Sequence, residues 1–400
     1  METVGAEAML APALPVTRRL SAVNLLESLG VEIGERGAGT ADAAAAAEAV
    51  AEALREVGLQ PRFQEFRLLG YEAEEPELEI EGVRWDAGPC MYANPTDGSV
   101  EGRVRRLGTY SIGGFFPEAD VFAVEDGDGR ELARLHMSPF GGAAIPFLAA
   151  PRQIVTGPTV FISGADAERL RQMEGVPARV RVGGRFVPNR VDRNVVAELP
   201  GRSDDEIVVS AHFDSVWRGT GIVDNATGCE GLRRVADRLA GREHERTLVF
   251  CGFAAEEIGC IGSHYFVHEA QISGRLKRIK GVVNLDCIAH GERFELMASP
   301  PALAERLAAF ARELGLDVRY DMHVGAAGPG VDAYPFAETG IPAATISHFP
   351  YHEYHLPTER LELVDGRKLA DSVELAVRLV DSLLDDAVPP DPSTERHSNE

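Results

Sequence analysis

The sequence predicts an α/β fold with a mostly parallel, mixed central sheet, helices on both faces and a small β-rich insert. Three observations lead to this prediction. After Asn194, apolar strand-like runs alternate with helical segments, as in parallel sheets whose crossovers are helices. Between about Pro89 and Gly184, short β-like runs are separated by Gly, Pro and Asp turns. An alanine-rich run from Thr40 to Gly58 places its larger apolar residues on one helical stripe.

The elements are predicted in chain order from apolar periodicity and turn residues. Strand-like stretches near 61–69 and 78–80 follow the N-terminal helix over 40–58. The insert contains β-like runs at 121–124, 159–162 and 178–182. The remaining predicted segments are strands at 206–210, 246–253, 281–285 and 343–347, and helices at 225–239, 262–272, 302–314 and 366–384.

Length and composition indicate the number of folded units and the general class of protein. A chain of 400 residues is long enough for roughly two to three folded units. With 44% hydrophobic and 26% charged residues, it is globular and not collagen-like, coiled-coil or wholly disordered. We predict a discontinuous main domain of residues 1–87 and 189–386, an insert of residues 88–188 and a disordered tail of residues 387–400.

The charge balance bears on the partners of the protein. Lys and Arg number 40 and Asp and Glu 63, so the net charge is −23, which repels nucleic acid and anionic membranes. No apolar stretch approaches the length of a membrane span, and the N-terminus lacks the apolar core of a signal peptide. We expect no nucleic-acid or membrane partner and a cytoplasmic location, or secretion if an export signal has been trimmed.

Acidic and imidazole side chains follow the predicted strands at the points where the strands end. His212 ends one strand-like run, Glu256 and Glu257 follow a second, and Asp286 follows a third. Ligands of open α/β sheets bind beyond the carboxyl ends of the strands, so these residues are expected to share one crevice. The five residues expected to converge there are His212, Asp224, Glu257, Asp286 and His355.

Three carboxylates brought together repel one another unless a cation compensates, so the expected crevice favours a metal site. Imidazole and carboxylate donors without a thiolate favour zinc or a related divalent ion. Five protein ligands exceed the needs of one tetrahedral ion with an open position, but they suit two ions that share a bridging carboxylate. Each residue alone has an ordinary explanation as a cap, a turn or a solvated side chain, and only their joint occurrence predicts the site.

Several motifs in this part of the chain resemble those of the dizinc metallopeptidases of the aminopeptidase Y and glutamate carboxypeptidase type. The resemblance covers roughly residues 190–385, with the helix at 40–58 as the N-terminal element of that family. The motifs run in the order found in the family: AHFDS at 211–215, GIVDNATG at 221–228, AEEIGCIGS at 255–263, NLD at 284–286, DAYPF at 332–336 and YH at 354–355.

This resemblance implies a role for each matching residue. His212 and Asp286 would hold one zinc ion, Glu257 and His355 the other, and Asp224 would bridge the two. The remaining implied roles are those of a general base for Glu256, an oxyanion donor for Tyr354, an orienting carboxylate for Asp214 beside His212, a supporting carboxylate for Asp332 and a cis peptide bond between Asp224 and Asn225.

Two further features accompany the resemblance. The insert resembles, by its position and β-rich character, the protease-associated domain that many of these peptidases carry, and either a lid or a purely structural role is open. Glu359 stands where the family usually has Asp after the last histidine, which leaves the partners of that carboxylate to be determined.

The resemblance implies a zinc-dependent exopeptidase acting on peptides, and we predict an aminopeptidase. A carboxypeptidase or dipeptidase of the same family is the main alternative. It would need arginines beside the metals to hold a terminal carboxylate, and only Arg218 lies near the His212 loop in the sequence. A glutaminyl-cyclase-like acyltransferase with one zinc and a non-catalytic binding protein are further alternatives, and the full ligand set argues against both.

Overall fold

A computed structural model describes residues 24–110, 118–138, 157–322 and 330–385, and the predicted tail of residues 387–400 lies outside them. The described residues form two eight-stranded sheets, a central one and a second one built from the middle of the chain. Strands are numbered along the chain. The strands of the central sheet are β1 (Arg62–Ala73), β10 (Gly184–Leu199), β11 (Ser203–His212), β12 (Arg246–Phe253), β13 (Ile279–Leu285), β14 (Arg293–Ser299), β15 (Val318–Met322) and β16 (Ala343–Phe349).

The central sheet has the strand order β1-β10-β12-β11-β13-β16-β14-β15. Its four middle strands, β12, β11, β13 and β16, are mutually parallel. Towards the edges, β10 pairs antiparallel with β12, and β14 pairs antiparallel with β16. The sheet is therefore mixed with a parallel centre, which confirms the predicted fold class.

Helices cover both faces of the central sheet because its middle strands are apolar on both sides. On β11, Ile207 and Val209 belong to the larger core, whereas Val208 between them belongs to a smaller core on the opposite face. The helices are α1 (Leu25–Glu27), α2 (Ala41–Glu56), α3 (Gly164–Leu170), α4 (Thr227–Ala240), α5 (Ile261–Ser273), α6 (Pro301–Glu313), α7 (Tyr334–Glu338) and α8 (Gly366–Asp385). Helices α2, α4, α6 and α8 contribute to the larger core, and α5 and α7 to the smaller one.

The second sheet has the order β3-β2-β9-β5-β6-β7-β8-β4 and a core of its own. Its strands are β2 (Glu77–Ile80), β3 (Val83–Trp85), β4 (Gly88–Pro89), β5 (Val100–Tyr110), β6 (Ala119–Glu125), β7 (Glu131–Met137), β8 (Thr159–Ile162) and β9 (Pro177–Arg181). Both β2 and β3 precede residue 88, where we predicted the insert to begin. They belong to the second sheet because β2 pairs with β9, a long-range contact that local patterns do not reveal.

Local signals account for the ends of several helices. The side chain of Thr40 accepts a hydrogen bond from the Ala43 N–H at 3.1 Å, so α2 begins with an N-cap. Helix α4 begins at Thr227, two residues later than predicted, because Asp224 and Asn225 have non-helical backbone angles. No helix in the described ranges is both long and apolar enough to cross a membrane.

Candidate metal centre

The carboxyl ends of the middle strands bring the five predicted metal ligands together. Two groups of side-chain atoms face each other there. His212 Nε2 lies 3.0 Å from Asp224 Oδ1 and 3.5 Å from Asp286 Oδ1. His355 Nε2 lies 3.2 Å from Asp224 Oδ2 and 3.2 Å from Glu257 Oε2. Asp224 therefore presents one carboxylate oxygen to each group.

These spacings are also those expected of ligands that share a metal ion. Around a tetrahedral zinc ion with bonds of about 2.0 Å, neighbouring ligand atoms are about 3.3 Å apart. Within the described part of the chain, Asp224 Oδ1 and Glu257 Oε1 are also buried without a hydrogen bond of good geometry, although buried carboxylate oxygens normally have one. Each group of imidazole and carboxylate atoms is thus a candidate site for one divalent ion.

The electrostatics of the centre point to the same need for cations. Burial and the nearby charge of Asp224 raise the pKa of Glu257 to about 7. Burial alone would lower the pKa of His355, but Glu257 and Asp224 raise it to about 10. The pKa of His212 is likewise raised well above its usual value, against the effect of burial, chiefly by Glu256. Positive charge is therefore favoured at both imidazoles, as expected beside several carboxylates.

Glu256 lies beside these ligands and is held through its backbone. Its N–H donates to Asp214 Oδ1 at 3.0 Å, and the N–H of Glu257 donates to Asp214 Oδ2 at 3.1 Å. Glu256 Oε2 is 4.0 Å from His212 Nε2, and Asp214 Oδ1 is 3.5 Å from His212 Nδ1. Asp214 therefore faces the imidazole, as the resemblance implies, and also fixes both glutamates, which the sequence did not indicate.

The turn that carries Asp224 is held by the side chain of the following residue. The peptide bond between Asp224 and Asn225 is cis, as the resemblance implies. Asn225 Nδ2 donates to the Leu285 carbonyl at 2.9 Å, and Asn225 Oδ1 accepts the N–H of Cys287 at 3.1 Å. These two hydrogen bonds enclose Asp286, so one side chain ties the Asp224 turn to the end of β13.

Glu359, the position that departs from the family pattern, is connected to the same turn. Its Oε2 accepts the N–H of Val223 at 3.1 Å and that of Asp224 at 3.4 Å. Its Oε1 accepts the Tyr351 hydroxyl at 2.9 Å. Burial raises the pKa of Glu359 to about 8. Glutamate at this position thus links the loop that carries His355 to the backbone of Asp224.

The other two predicted site residues also lie at the centre. The ring of Tyr354 stacks on that of His355, with centroids 3.9 Å apart. Asp332 is fully buried and accepts the Ser263 hydroxyl at 2.5 Å. Burial raises the pKa of Asp332 to about 7. Neither residue belongs to the two groups of candidate ligands, and their roles in the reaction stay predictions.

Sequence reasoning missed Arg36, which is 0% exposed. Its guanidinium donates to the backbone carbonyls of Phe213, Thr220 and Gly221, and to two carbonyls of its own segment. It therefore joins the loop after β11 to the turn that leads into Asp224. A single arginine in an irregular segment has no periodic or motif signal, so only the tertiary structure identifies it.

We expect Arg36→Met to lower the free energy of unfolding by about 3 kcal/mol or more, because it leaves several buried carbonyls without a donor. Urea unfolding followed by circular dichroism measures this change. Arg55→Met is the matched control: Arg55 is exposed, pairs with Glu52 on α2 and should change stability by less than about 1 kcal/mol. Equal midpoints for the two variants would show that Arg36 does not hold these loops.

A mixed α/β sheet with a parallel centre carries the paired imidazole and carboxylate groups at its strand ends, and this arrangement fits a metal-dependent enzyme. Residues 194–380 match the model of Peptidase family M28. The match covers just under half of the chain, and over those residues the chain is similar to this family of peptidases. The match leaves the second sheet outside, so the resemblance of the insert to a protease-associated domain stays a prediction.

Individual peptidases are also similar to the chain. The chain is 23% identical to aminopeptidase YwaD of Bacillus subtilis over 393 residues, which cover 90% of the chain and 83% of that protein. It is 33% identical to leucine aminopeptidase 2 of Arthroderma otae, but only over 33% of the chain and 27% of that protein's length. The solved structure of a zinc aminopeptidase from Bacillus subtilis shares the fold, with a TM-score of 0.71, 21% identity and coverage of 91% of this chain and 96% of that one.

Proposed function

We propose that the protein is a zinc aminopeptidase with two zinc ions, which removes the N-terminal residue of peptides. The observation that carries this proposal is the division of five ligands into two groups that share Asp224, with Glu256 beside them and outside both. The similarity to aminopeptidase YwaD over most of both chains and the fold of a zinc aminopeptidase support it.

The proposed roles follow from this division. When bound, the zinc ions lower the pKa of a water molecule towards about 7 and polarise the peptide carbonyl. Glu256 accepts the proton of the attacking water and passes it to the leaving amine. Its pKa is raised by burial and by the nearby carboxylates of Asp286 and Glu257. The Tyr354 hydroxyl stabilises the charge that develops on the carbonyl oxygen.

Charge also supports recognition of the N-terminus. Glu256 Oε2 and Asp286 Oδ1 lie 4.0 and 3.5 Å from His212 Nε2, so two carboxylates lie on the Asp286 side of the centre. An ammonium group is favoured there, whereas a terminal carboxylate would be repelled. The guanidinium of Arg218, a candidate anchor for a carboxylate, instead pairs with Glu75 and stacks 4.3 Å from the Trp217 ring centroid.

The experiment that tests this function compares peptides blocked at either end. We expect cleavage of free peptides and aminoacyl anilides, loss of cleavage after N-acetylation and little effect of C-terminal amidation. Release of amino acids, followed by mass spectrometry, measures the outcome. Cleavage of acetylated but not of amidated peptides would establish a carboxypeptidase and reject the proposal.

A further inference from the structure

A small pocket lies against Glu257, on one side of the candidate metal centre. Its volume is about 60 Å³, and its lining includes Glu257 and Ile258 but neither His212 nor Asp286. The pocket therefore adjoins the group of ligands formed with His355 and not the group formed with His212. None of the roles assigned so far uses this space.

The walls of the pocket are largely apolar and come from both parts of the molecule. Trp217 belongs to the loop after β11, and Tyr71 lies on β1 of the central sheet. Met91 and Tyr92 lie between β4 and β5, within the segment that forms the second sheet. The rings of Tyr71 and Tyr92 pack with centroids 5.5 Å apart. The insert thus supplies part of a wall that faces Glu257.

The charge at this pocket has one sign. Among the described residues that line it, none is Lys, Arg or His. The acidic ones are Glu35 and Glu257, of which Glu257 is a proposed metal ligand. Glu35 lies at the exposed rim, where its carboxylate accepts the backbone N–H of Arg218 at 2.9 Å. The side chain of Arg218 is directed to Glu75 and does not line the pocket. An acidic side chain would therefore meet the like charge of Glu35, and no described residue of the lining would pair with it.

The orientation of the bound peptide indicates which of its residues reaches the pocket. With the ammonium group on the Asp286 side, the chain must pass Asp224 and continue towards Glu257. We propose that this pocket binds the side chain of the second residue of the substrate, that it prefers an apolar side chain and that it disfavours an acidic one. This inference rests on the proposed aminopeptidase function, and it gives the insert a role in selecting the substrate.

The test uses two series of amidated dipeptides with the full-length, zinc-loaded protein. In the first, Leu is followed by Leu, Val, Ala, Lys or Glu; in the second, the first residue varies before a fixed Ala. We expect kcat/KM to be about tenfold or more higher for Leu than for Glu as second residue. Trp217→Ala and Met91→Ala should each reduce this ratio, and Glu35→Gln should raise activity on the Glu peptide. None of the three should change the ranking of the second series.

The matched control is Ile272→Ala, which removes an apolar side chain that is 69% exposed on α5 and should leave both series unchanged. Equal kcat/KM for all second residues would overturn the inference while leaving the aminopeptidase function intact. A change in the first-residue ranking in Trp217→Ala and Met91→Ala would assign the pocket to the N-terminal side chain and also overturn it. If no peptide loses its first residue, the proposed function itself fails.

Discussion

Glu256→Gln is expected to lower kcat by about 10²-fold to 10⁴-fold while leaving metal content unchanged, because it removes proton transfer without removing a metal ligand. The geometry motivates this separation: Glu256 lies 4.0 Å from His212 Nε2, whereas Glu257 directly faces His355 Nε2 at 3.2 Å. Steady-state kinetics together with elemental analysis of the purified variant measures both quantities.

Glu257→Gln is the matched comparison, since both glutamates are held by Asp214 through their backbone N–H groups. We expect this second variant to lose metal as well as activity, because an amide is a weaker ligand than a carboxylate. Loss of zinc in Glu256→Gln, with retention in Glu257→Gln, would mean that the two roles are exchanged.

Removal of metal by a chelator is expected to abolish activity, and about two equivalents of zinc are expected to restore it. We also expect the metal-free protein to unfold at a lower temperature, because ions that bind only the folded state stabilise it. The repulsion between the carboxylates of Glu257 and Asp224, which contributes to the raised pKa of Glu257, adds to this effect. Activity assays, zinc analysis and thermal unfolding of the same samples measure the three outcomes.

A chelator already saturated with zinc serves as the control, since it should change neither activity nor unfolding temperature. Full activity with a single bound ion would reject the assignment of two zinc ions but keep a zinc enzyme. Full activity of the protein freed of metal would reject the metal centre altogether.

Local patterns were sufficient to predict the α/β class and most of its helices and strands. The alternation of apolar strands with amphipathic helices can be recognised in stretches of about ten residues. It can therefore be predicted without knowledge of the tertiary structure. The boundary of the insert did not follow from such windows. The local sequence patterns of β2 and β3 do not distinguish these strands from β1. Only the pairing of β2 with β9 assigns them to the second sheet.

The candidate ligands were predictable because the carboxyl ends of parallel strands lie at the same edge of a sheet. Residues that follow different strands are therefore expected to lie close together, even when they are far apart in sequence. The residues that hold those ligands were not predictable in the same way. Asp214 binds the backbone of both glutamates, and Glu359 binds the backbone of Asp224. A hydrogen bond to a backbone group depends on the path of the chain and not on the type of the partner residue. Such bonds are therefore not marked by any sequence motif.

The sequence by itself determined the fold class, the five residues that converge and the acidic character of the crevice, because each depends on local periodicity or on the known direction of strands. The family resemblance implied the division into two groups around Asp224, and the distances agree with it. Only the tertiary structure decided how Arg36 joins the loops behind these residues and that the insert lines a pocket beside Glu257. Those features depend on contacts between distant segments, and such contacts are fixed by packing of the whole chain and not by any one stretch of it.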